Sequence, residues 1–521
     1  MPQEYLTEIF YPSRFYDFMS PALLSYLAVL HGFESPPVAD SFDYCELGCG
    51  GGMTVLTLAA SCPHGRFYGV DMNPEHIDYA QKAAEATGLD NLTLIESDFD
   101  GLDLGALPNF DFITVHGVYS WVSEDTREQL VKILERKLKP GGLLMISYNA
   151  MPGAAATQPI REMMLTHTEG MAEPTREKVE EAIRYLKYLA EHNAAYFEEN
   201  PVAREAVEGI ADKDRDYLAH EFFNEHWKPF YFIEVARDMS RAGLTFVGTL
   251  PVVSNYLETT VPSEFHSFFH TAPDRIALER HKAFVRNERF RRDVYIKTDE
   301  EMLPEPERIM LYKDLCFGTD YDMIRQEASI QNAVDTIKLD YSQPPHSVIA
   351  SRLLGGGHNI EMLKALPELE EFSEEDIVDA VNLLILGGDF RPFTYAGNVL
   401  PIPPDPGTYL TIPVLFNQVI LENCHLSDEP AIYLASPVLG DGYAMALVDG
   451  MLLWGLTQVN LEEVPSWALA RMHGCDKHLN IEGKPLNDPE AELEVLQQQL
   501  DVILTHKLGK FIELGLVAPS A

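Results

Sequence analysis

The stretch FDYCELGCGGGMTVLTLAASC, residues 42–62, decides the fold. Its first six residues are an apolar run that predicts a buried strand, and MTVLTLAASC has the spacing of a helix. Between them the chain reads Glu46-Leu-Gly48-Cys-Gly50-Gly-Gly52. Glycines allow a tight turn and let the backbone approach a ligand without an intervening Cβ. Strand, glycine turn and helix together predict the start of an α/β domain with a ligand at the turn.

The spacing of these glycines excludes two common nucleotide-binding loops. The dinucleotide fingerprint G-x-G-x-x-G requires a glycine at position 53, where Met53 stands. A phosphate-binding P-loop requires a Lys-Ser/Thr pair after the glycines, and none follows.

The pattern continues outward from this stretch in both directions. Residues 21–33 predict a capping helix, and further strands and helices alternate after residue 62. Strands are predicted at 66–71, 92–98, 111–116 and 142–148, with helices at 74–87 and 125–138. Such alternation is typical of a doubly wound parallel sheet.

The pattern changes after residue 157 and returns later. Five regions are predicted: 1–157, the first part of the α/β domain; 158–219, a helical insertion; 220–298, the return segment; 299–408, a middle region; and 409–521, a C-terminal domain. The return segment carries a helix at 229–242 and strands at 244–250 and 291–297, which we expect to close the sheet. Within the middle region, residues 350–393 predict a winged-helix-like module.

Acidic residues stand at the ends of successive predicted strands. Asp71 lies about 20 residues past the glycines, where a carboxylate can accept hydrogen bonds from both hydroxyls of a ribose. At the next strand end, Asp98 can meet an adenine amino group and Phe99 can cover the ring. The alternatives are structural: Asp71 could cap a helix, and Asp98 could form a turn.

With Lys139-Pro-Gly-Gly142, these motifs resemble those of class I S-adenosylmethionine (SAM)-dependent methyltransferases. Four further segments resemble bacterial methyltransferases with a methyltransferase regulatory domain, a family that includes rickettsial lysine methyltransferases acting on outer-membrane protein. They are 116–122 (HGVYSWV), 147–153 (SYNAMPG), 220–224 (HEFFN) and 287–292 (NERFRR). The resemblance covers residues 10–298 well and is weak beyond residue 340.

The resemblance implies a seven-stranded class I methyltransferase sheet of α/β class with a helical insertion for dimerisation, an α+β middle domain and a winged-helix-like C-terminal domain. It implies SAM as the cofactor, bound by Glu46, Gly48, Cys49, Gly50, Gly52, Asp71, Met72, Asp98, Phe99 and His116. We assign Tyr119, Trp121, Tyr148 and Asn149 to the acceptor pocket. The alternative for Trp121 and Tyr148 is packing in the core. His220 and Trp227 could cover the pocket or pack between helices.

The net charge of the chain limits the kinds of molecule it is expected to bind. The chain has 81 acidic and 39 basic residues, a net charge of −42, which repels nucleic-acid phosphates and favours a cationic partner such as a lysine-bearing protein. Solubility is the alternative explanation. The predicted winged-helix-like helices are also acidic, so a protein-interaction role is expected for them rather than DNA binding.

Targeting and metal signals are lacking in the sequence. No apolar run is long enough to span a membrane, and the N-terminal residues do not form a signal-peptide pattern. Six cysteines are scattered without zinc-like spacing, so we expect reduced thiols, a cytoplasmic location and no metal site.

Three functions remain open from the sequence. The first is N-methylation of lysine side chains in a protein; the second is N- or O-methylation of a small molecule; the third is a non-catalytic protein that keeps SAM as a structural ligand. The sequence lacks an Asn/Asp-Pro-Pro-Tyr/Phe tetrapeptide after the fourth predicted strand, which speaks against planar amide or base acceptors. An apolar stripe within 177–197 (Val179, Ile183, Leu186, Leu189) needs a cover, which a second subunit or the same chain could provide.

Overall fold

A seven-stranded sheet forms the centre of the N-terminal half. The computed structural model describes residues 14–323, 325–331, 336–395, 410–427, 429–481, 484–486 and 488–519. The strands are β1 (Asp43–Leu47), β2 (Arg66–Asp71), β3 (Leu92–Glu96), β4 (Phe110–Val115), β5 (Leu138–Asn149), β6 (Leu244–Thr249) and β7 (Phe290–Lys297). Their order is β3-β2-β1-β4-β5-β7-β6, and β7 runs antiparallel to both neighbours. This is the sheet expected of a class I methyltransferase.

Helices cover both faces of the sheet, because successive side chains of a strand point to opposite sides. They are α1 (Pro21–Leu30), α2 (Met53–Ser61), α3 (Pro74–Ala86), α4 (Glu124–Lys137) and α10 (Phe232–Arg241). Tyr44 of β1 packs in the core that contains α1 and α2, whereas its neighbour Cys45 packs in the core that contains α4 and α10. Helix starts are fixed by side-chain caps: Asn73 accepts from the N–H of Glu75, and Ser123 from that of Thr126.

The insertion between β5 and β6 is a helical bundle with its own core. After a 3₁₀ turn at Gly153–Ala156 come α5 (Gln158–Thr168), α6 (Thr175–Glu191), α7 (Ala195–Glu199), α8 (Pro201–Ala211) and α9 (Arg215–Phe222). The apolar stripe of α6 packs within the same chain: Val179, Ile183 and Leu186 are buried with Met164 of α5 and Val207 of α8. The stripe is therefore covered without a second subunit and gives no argument for a dimer.

Strands β6 and β7 are joined by short helices over a buried charge cluster. The connection contains 3₁₀ turns at Val252–Asn255 and Ser263–Phe265 and helices α11 (Leu257–Thr260), α12 (His266–Phe269) and α13 (Arg275–Val285). Glu279 of α13 forms ion pairs with Lys282 and with Arg291 of β7, at 2.8 Å for the arginine, and Arg291 also pairs with Asp293 at 2.9 Å. All four side chains are buried. Each charge is thereby compensated inside the protein.

The middle region packs directly on α1. It comprises α14 (Glu305–Arg308), a 3₁₀ helix at Ile309–Asp314, β8 (Cys316–Gly318), β9 (Glu327–Gln331), β10 (Thr336–Asp340), α15 (His346–Leu354), β11 (His358–Asn359), α16 (Ile360–Lys364), a 3₁₀ turn at Pro367–Leu369, α17 (Glu374–Leu386) and β12 (Arg391–Phe393). Strands β9 and β10 pair with each other, and β11, β8 and β12 form a three-stranded sheet in that order. The Tyr26 hydroxyl of α1 donates to Asn382 Oδ1 of α17 over 2.9 Å. One hydrophobic core runs from α1 and α2 through α15–α17.

The C-terminal domain has a separate core and contacts α2. Its elements are β13 (Leu410–Thr411), α18 (Leu415–Asn423), a 3₁₀ turn at Cys424–Leu426, β14 (Ala431–Ser436), β15 (Asp441–Ala446), α19 (Leu447–Gln458), a 3₁₀ turn at Leu461–Glu463, α20 (Val464–His473), β16 (Asn480–Ile481), β17 (Lys484–Pro485), α21 (Pro489–Val502), a π-helical turn at Ile503–Lys507, α22 (Leu508–Glu513) and β18 (Ala518–Pro519). The Ser61 hydroxyl of α2 donates to the Asp441 carbonyl over 2.9 Å. In the part of the chain that the structure describes, no helix has the length and apolar character to cross a membrane.

Candidate active site

A large cavity opens at the carboxyl ends of β1 to β5, where ligands bind in open α/β sheets. Its volume is about 1590 Å³, more than the roughly 300–1,000 Å³ of a typical single-ligand pocket. Its wall also includes Arg14 and Tyr16 before α1, Lys213, Tyr217 and Glu221 in or beside α9, and Phe290 and Arg292 of β7. The cavity therefore has room for a cofactor and a second molecule, and the helical insertion forms part of its wall.

The glycine loop contributes two of its three predicted glycines to the cavity. Gly48, at φ +81°, leaves no room for a side chain, because an added Cβ would lie 2.3 Å from Cγ2 of Val118. Gly50, at φ +54°, faces open space. Gly52 does not line the cavity. It precedes α2 at φ +76° and packs closely against α3, since a Cβ there would lie 2.9 Å from that of Ala80, and its contact with the cofactor stays a prediction.

Two acids stand beside the loop. The Asp71 carboxylate accepts from the N–H of Gly50 (2.8 Å) and from that of Asn73 (2.9 Å), and it lines the cavity. The Oε2 atom of Glu46 is buried and has no hydrogen-bond partner among the described residues. Burial, with the charge of Asp71 adding to it, raises the pKa of Glu46 to about 8. The Oε2 atom of Glu46 is thus available to a hydrogen-bonding group of a ligand in the cavity.

The third strand end carries the predicted adenine contacts. Asp98 is exposed, and its Oδ1 accepts from the N–H of Gly101 over 2.6 Å, so it forms a turn as well as lining the cavity. Phe99 is half-buried beside it, and Cys49 and Met72 complete this part of the wall. The structure brings these four predicted residues together with Glu46 and Asp71.

His116 lies at the end of β4 inside an aromatic enclosure. Its ring centroid is 4.3 Å from that of Tyr16, 5.0 Å from Phe18 and 6.2 Å from Phe290. Its Nδ1 is 2.8 Å from the Ser147 hydroxyl oxygen. Burial, and then the charge of Arg292, lowers the pKa of His116 to about 3. The imidazole is therefore neutral at physiological pH and too weak a base to deprotonate an ammonium group efficiently.

Of the four residues assigned to the acceptor pocket, Trp121 and Asn149 line the cavity. Tyr119 and Tyr148 do not, and their assignment is corrected. The Tyr119 hydroxyl donates to Asp238 of α10 over 2.5 Å, and the Tyr148 hydroxyl donates to Asp293 of the buried charge cluster over 2.5 Å. Both rings are fully buried in the core behind the site.

A half-buried acid that the sequence did not single out lies at the cavity wall near Asn149. Glu221 lies on α9, directly after His220, and burial raises its pKa. The charge of Lys213 opposes that rise in pKa most strongly, followed by the Asn149 amide and the Trp227 indole. Neither Asn149 Nδ2 nor Trp227 Nε1 has a hydrogen-bond partner of normal geometry within the described ranges. We call Glu221, Asn149 and Trp227 the acceptor cluster. Trp227 and His220, the two residues predicted either to cover the pocket or to pack between helices, both line the cavity.

Two family models match the chain. Residues 45–142 match a methyltransferase domain, and residues 214–297 match a predicted methyltransferase regulatory domain. With the seven-stranded sheet and the cavity at its edge, these matches define a class I SAM-dependent methyltransferase. The regulatory-domain match spans α10, β6, α13 and β7, so it completes the methyltransferase sheet.

Relatives extend over the whole chain. An uncharacterised protein of Synechocystis sp. (strain PCC 6803) is 29% identical over 512 residues, 98% of this chain and 99% of its own length. An uncharacterised protein of Rickettsia prowazekii is 30% identical over 295 residues, covering 56% of this chain and 52% of its own length. The solved structure of PKMT2 from Rickettsia typhi in complex with AdoHcy has the same fold, with a TM-score of 0.72 and 19% identity, over 97% of this chain and 99% of that one.

Proposed function

We propose that this chain transfers a methyl group from SAM to the side-chain amino group of lysine in a protein. The observation that carries the proposal is the acceptor cluster, in which a half-buried carboxyl group and two buried donor atoms lie together at the cavity wall. A cationic lysine would pair with Glu221 on entry. The two donors, Asn149 Nδ2 and Trp227 Nε1, would then hold the carboxylate in place.

The residues at the glycine loop fit the cofactor. SAM supplies an electrophilic methyl group on a positively charged sulfur. Glu46 offers its unpaired oxygen to the cofactor's amino group, and Asp71 keeps lone pairs for ribose hydroxyls while Gly50 fixes its orientation. Asp98 and the ring of Phe99 line the cavity beside the loop, where they would meet the adenine.

Methylation requires lysine to be neutral at nitrogen. Transfer would join the amine nitrogen to the methyl group that SAM supplies, with the sulfur leaving as a neutral thioether, and one proton would leave the nitrogen in the cycle. Glu221 is suited to accept that proton because burial raises its pKa, which brings it nearer to that of the amine than an ordinary carboxyl group. Aromatic faces at the cavity, Tyr16, Trp121 and Phe290, favour a methylated ammonium.

The charge of the whole protein supports a cationic macromolecular substrate. A net charge of −42 draws a lysine-rich protein to the surface and disfavours a polyanion. The fold shared with PKMT2 is consistent with the proposal without specifying an acceptor.

The test follows label from tritiated SAM into a lysate and into a lysine-rich protein. We expect label in protein lysines, at a rate that falls as salt rises from 0.05 to about 0.5 M, because exposed charges are screened beyond about 10 Å at 0.1 M. Glu221→Gln should lower kcat/KM for the protein at least tenfold and leave the Kd for SAM unchanged. Glu225→Gln, an exposed acid four residues away, is the matched control.

Other outcomes would replace the proposal. Label that enters only small molecules, with no salt dependence, would make the protein a small-molecule methyltransferase that uses the spare volume of the cavity. Equal activity of the two variants would remove Glu221 from the acceptor site.

A further inference from the structure

Two histidines and one glutamate converge in the C-terminal domain, on elements that do not contribute to the cavity. His473 ends α20, His478 lies in the loop that follows, and Glu492 is in the first turn of α21. His473 Nε2 is 2.7 Å from Glu492 Oε2, and His478 Nδ1 is 3.3 Å from Glu492 Oε1. All three possible ligand atoms lie within 4.8 Å of one another. The three residues come from two helices and a loop, so the tertiary fold brings them together.

The side chain of Glu492 is held in place by a backbone hydrogen bond. Its side chain is fully buried, and its Oε1 accepts the backbone N–H of Leu479 over 2.9 Å. The hydrogen bond from Leu479 therefore fixes the orientation of the Glu492 side chain, as an outer-shell donor does for a metal-binding carboxylate.

The imidazoles leave one side of the cluster open. The side chains of His473 and His478 are 32% and 40% exposed, which gives an ion an entry path and leaves room for a water ligand. Lys477, between them in the chain, donates to the carbonyl of Ser427. The ammonium group of Lys477 is thus hydrogen-bonded to a residue outside the cluster.

We propose that His473, His478 and Glu492 form a binding site for a divalent transition-metal ion, best suited to Zn²⁺. Two imidazole nitrogens and one carboxylate oxygen are a common three-ligand set for zinc, with a fourth position open to water. Mg²⁺ and Ca²⁺ prefer oxygen ligands throughout, so they are poor matches. In a tetrahedral site with bonds of about 2.0–2.1 Å the ligand atoms are about 3.3 Å apart, which small side-chain rotations from the observed distances would reach.

The ion would join α20 to α21 across the loop that contains His478. Such a link stabilises the folded C-terminal domain, because the metal binds the arrangement present only in the folded chain. The alternative is a cluster of two histidines hydrogen-bonded to a glutamate with no ion. Only a metal site would bind Zn²⁺ with a defined stoichiometry, so a binding experiment distinguishes the two.

The test is a titration of chelator-treated full-length protein with ZnCl₂ at pH 7.5 by calorimetry, with Co²⁺ as a spectroscopic probe. We expect one ion per chain, a visible absorption band of tetrahedral Co²⁺, and a rise in the thermal midpoint on adding Zn²⁺. His473→Ala and His478→Ala should each weaken Zn²⁺ binding at least tenfold and abolish that rise. Glu492→Gln should do the same, but its burial makes the exposed histidine variants the decisive ones.

Two controls separate this site from adventitious binding. His506→Ala removes an exposed histidine of the same domain, and Cys475→Ser removes the thiol in the same loop; both should bind Zn²⁺ like the unaltered chain. The proposal is overturned if no saturable 1:1 binding occurs, if the two histidine variants bind normally, or if Cys475→Ser alone abolishes binding. SAM affinity should be the same in all these variants, so the result is independent of the methyltransferase site.

Discussion

The backbone N–H of Gly50 donates a hydrogen bond to Oδ2 of Asp71 across the mouth of the cavity, at 2.8 Å. The bond joins the loop after β1 to the end of β2. It fixes the orientation of the carboxylate before any ligand arrives, and pre-ordering of this kind reduces the entropy lost on binding.

Asp71→Ala should weaken SAM binding by about 1–3 kcal/mol, because the ribose hydroxyls and the Gly50 N–H would lose a charged acceptor in a buried place. Calorimetry measures this directly. Asp78→Ala, an exposed acid on the following helix, is the control and should bind SAM normally. Unchanged affinity in Asp71→Ala would remove Asp71 from the cofactor site.

Proton release should accompany SAM binding at pH 7. With a pKa of about 8, Glu46 is mostly protonated in the free protein, and contact with a cationic cofactor favours the ionised form. Calorimetry in phosphate and in Tris buffer, which differ in ionisation enthalpy, should report release of roughly one proton. Glu46→Gln should release almost none. Equal release by both proteins would assign the proton to another group.

Glu46 should also make the stability of the free protein fall with rising pH. Its folded-state pKa is raised, so the penalty for ionising it is absent below about pH 4.5, grows between pH 4.5 and 8, and is complete above pH 8. Glu46→Gln should therefore have a higher thermal midpoint than the unaltered chain at pH 8.5, and the difference should shrink towards pH 5. A constant difference over that range would contradict the raised pKa.

Trp121 and Tyr119 should respond differently to substitution, although they are two residues apart. Trp121→Ala should lower kcat at least tenfold with little change in the Kd for SAM, because its side chain lines the cavity. Tyr119→Phe should keep its activity but lose about 1 kcal/mol of stability, since only the bond to Asp238 is removed. Normal turnover by Trp121→Ala would place the acceptor elsewhere in the cavity.

Glu279→Gln should destabilise the protein by about 3–5 kcal/mol, because Lys282 and Arg291 would remain buried with insufficient negative charge. Urea unfolding followed by tryptophan fluorescence measures the loss. The exposed acid Glu264 provides the control, as its substitution by Gln should have little effect.

The sheet, and the gathering of the predicted cofactor residues at one end of the cavity, could be predicted from the sequence because both depend on local patterns. The residues around the glycine loop and at the ends of β2 and β3 are each marked by their position after a strand. The acceptor half depends on distant partners. Tyr119 and Tyr148 can be buried in the core because Asp238 and Asp293, far along the chain, accept hydrogen bonds from their hydroxyl groups. Glu221 reaches the cavity only through the folding of α9.

The same reason explains three other differences. Nothing near the apolar stripe of α6 shows that α5, α8 and α9 cover it. The central strand of the middle sheet, β8, lies before α15–α17 in the chain and therefore outside the predicted 350–393 module. His473, His478 and Glu492 have no recognisable metal spacing, since the tertiary contact of two helices brings them together.

The position of β7 between β5 and β6 has a consequence for biosynthesis. Residues 150–289 must leave the ribosome before β7 can pair with β5. At about 5–20 residues per second this takes roughly 7–28 s, during which the pairing edge of β5 has no strand beside it. An open apolar edge is prone to pair with other chains. The newly made N-terminal half is thus exposed to mispairing until β7 arrives, and slower translation of the insertion would lengthen that exposure.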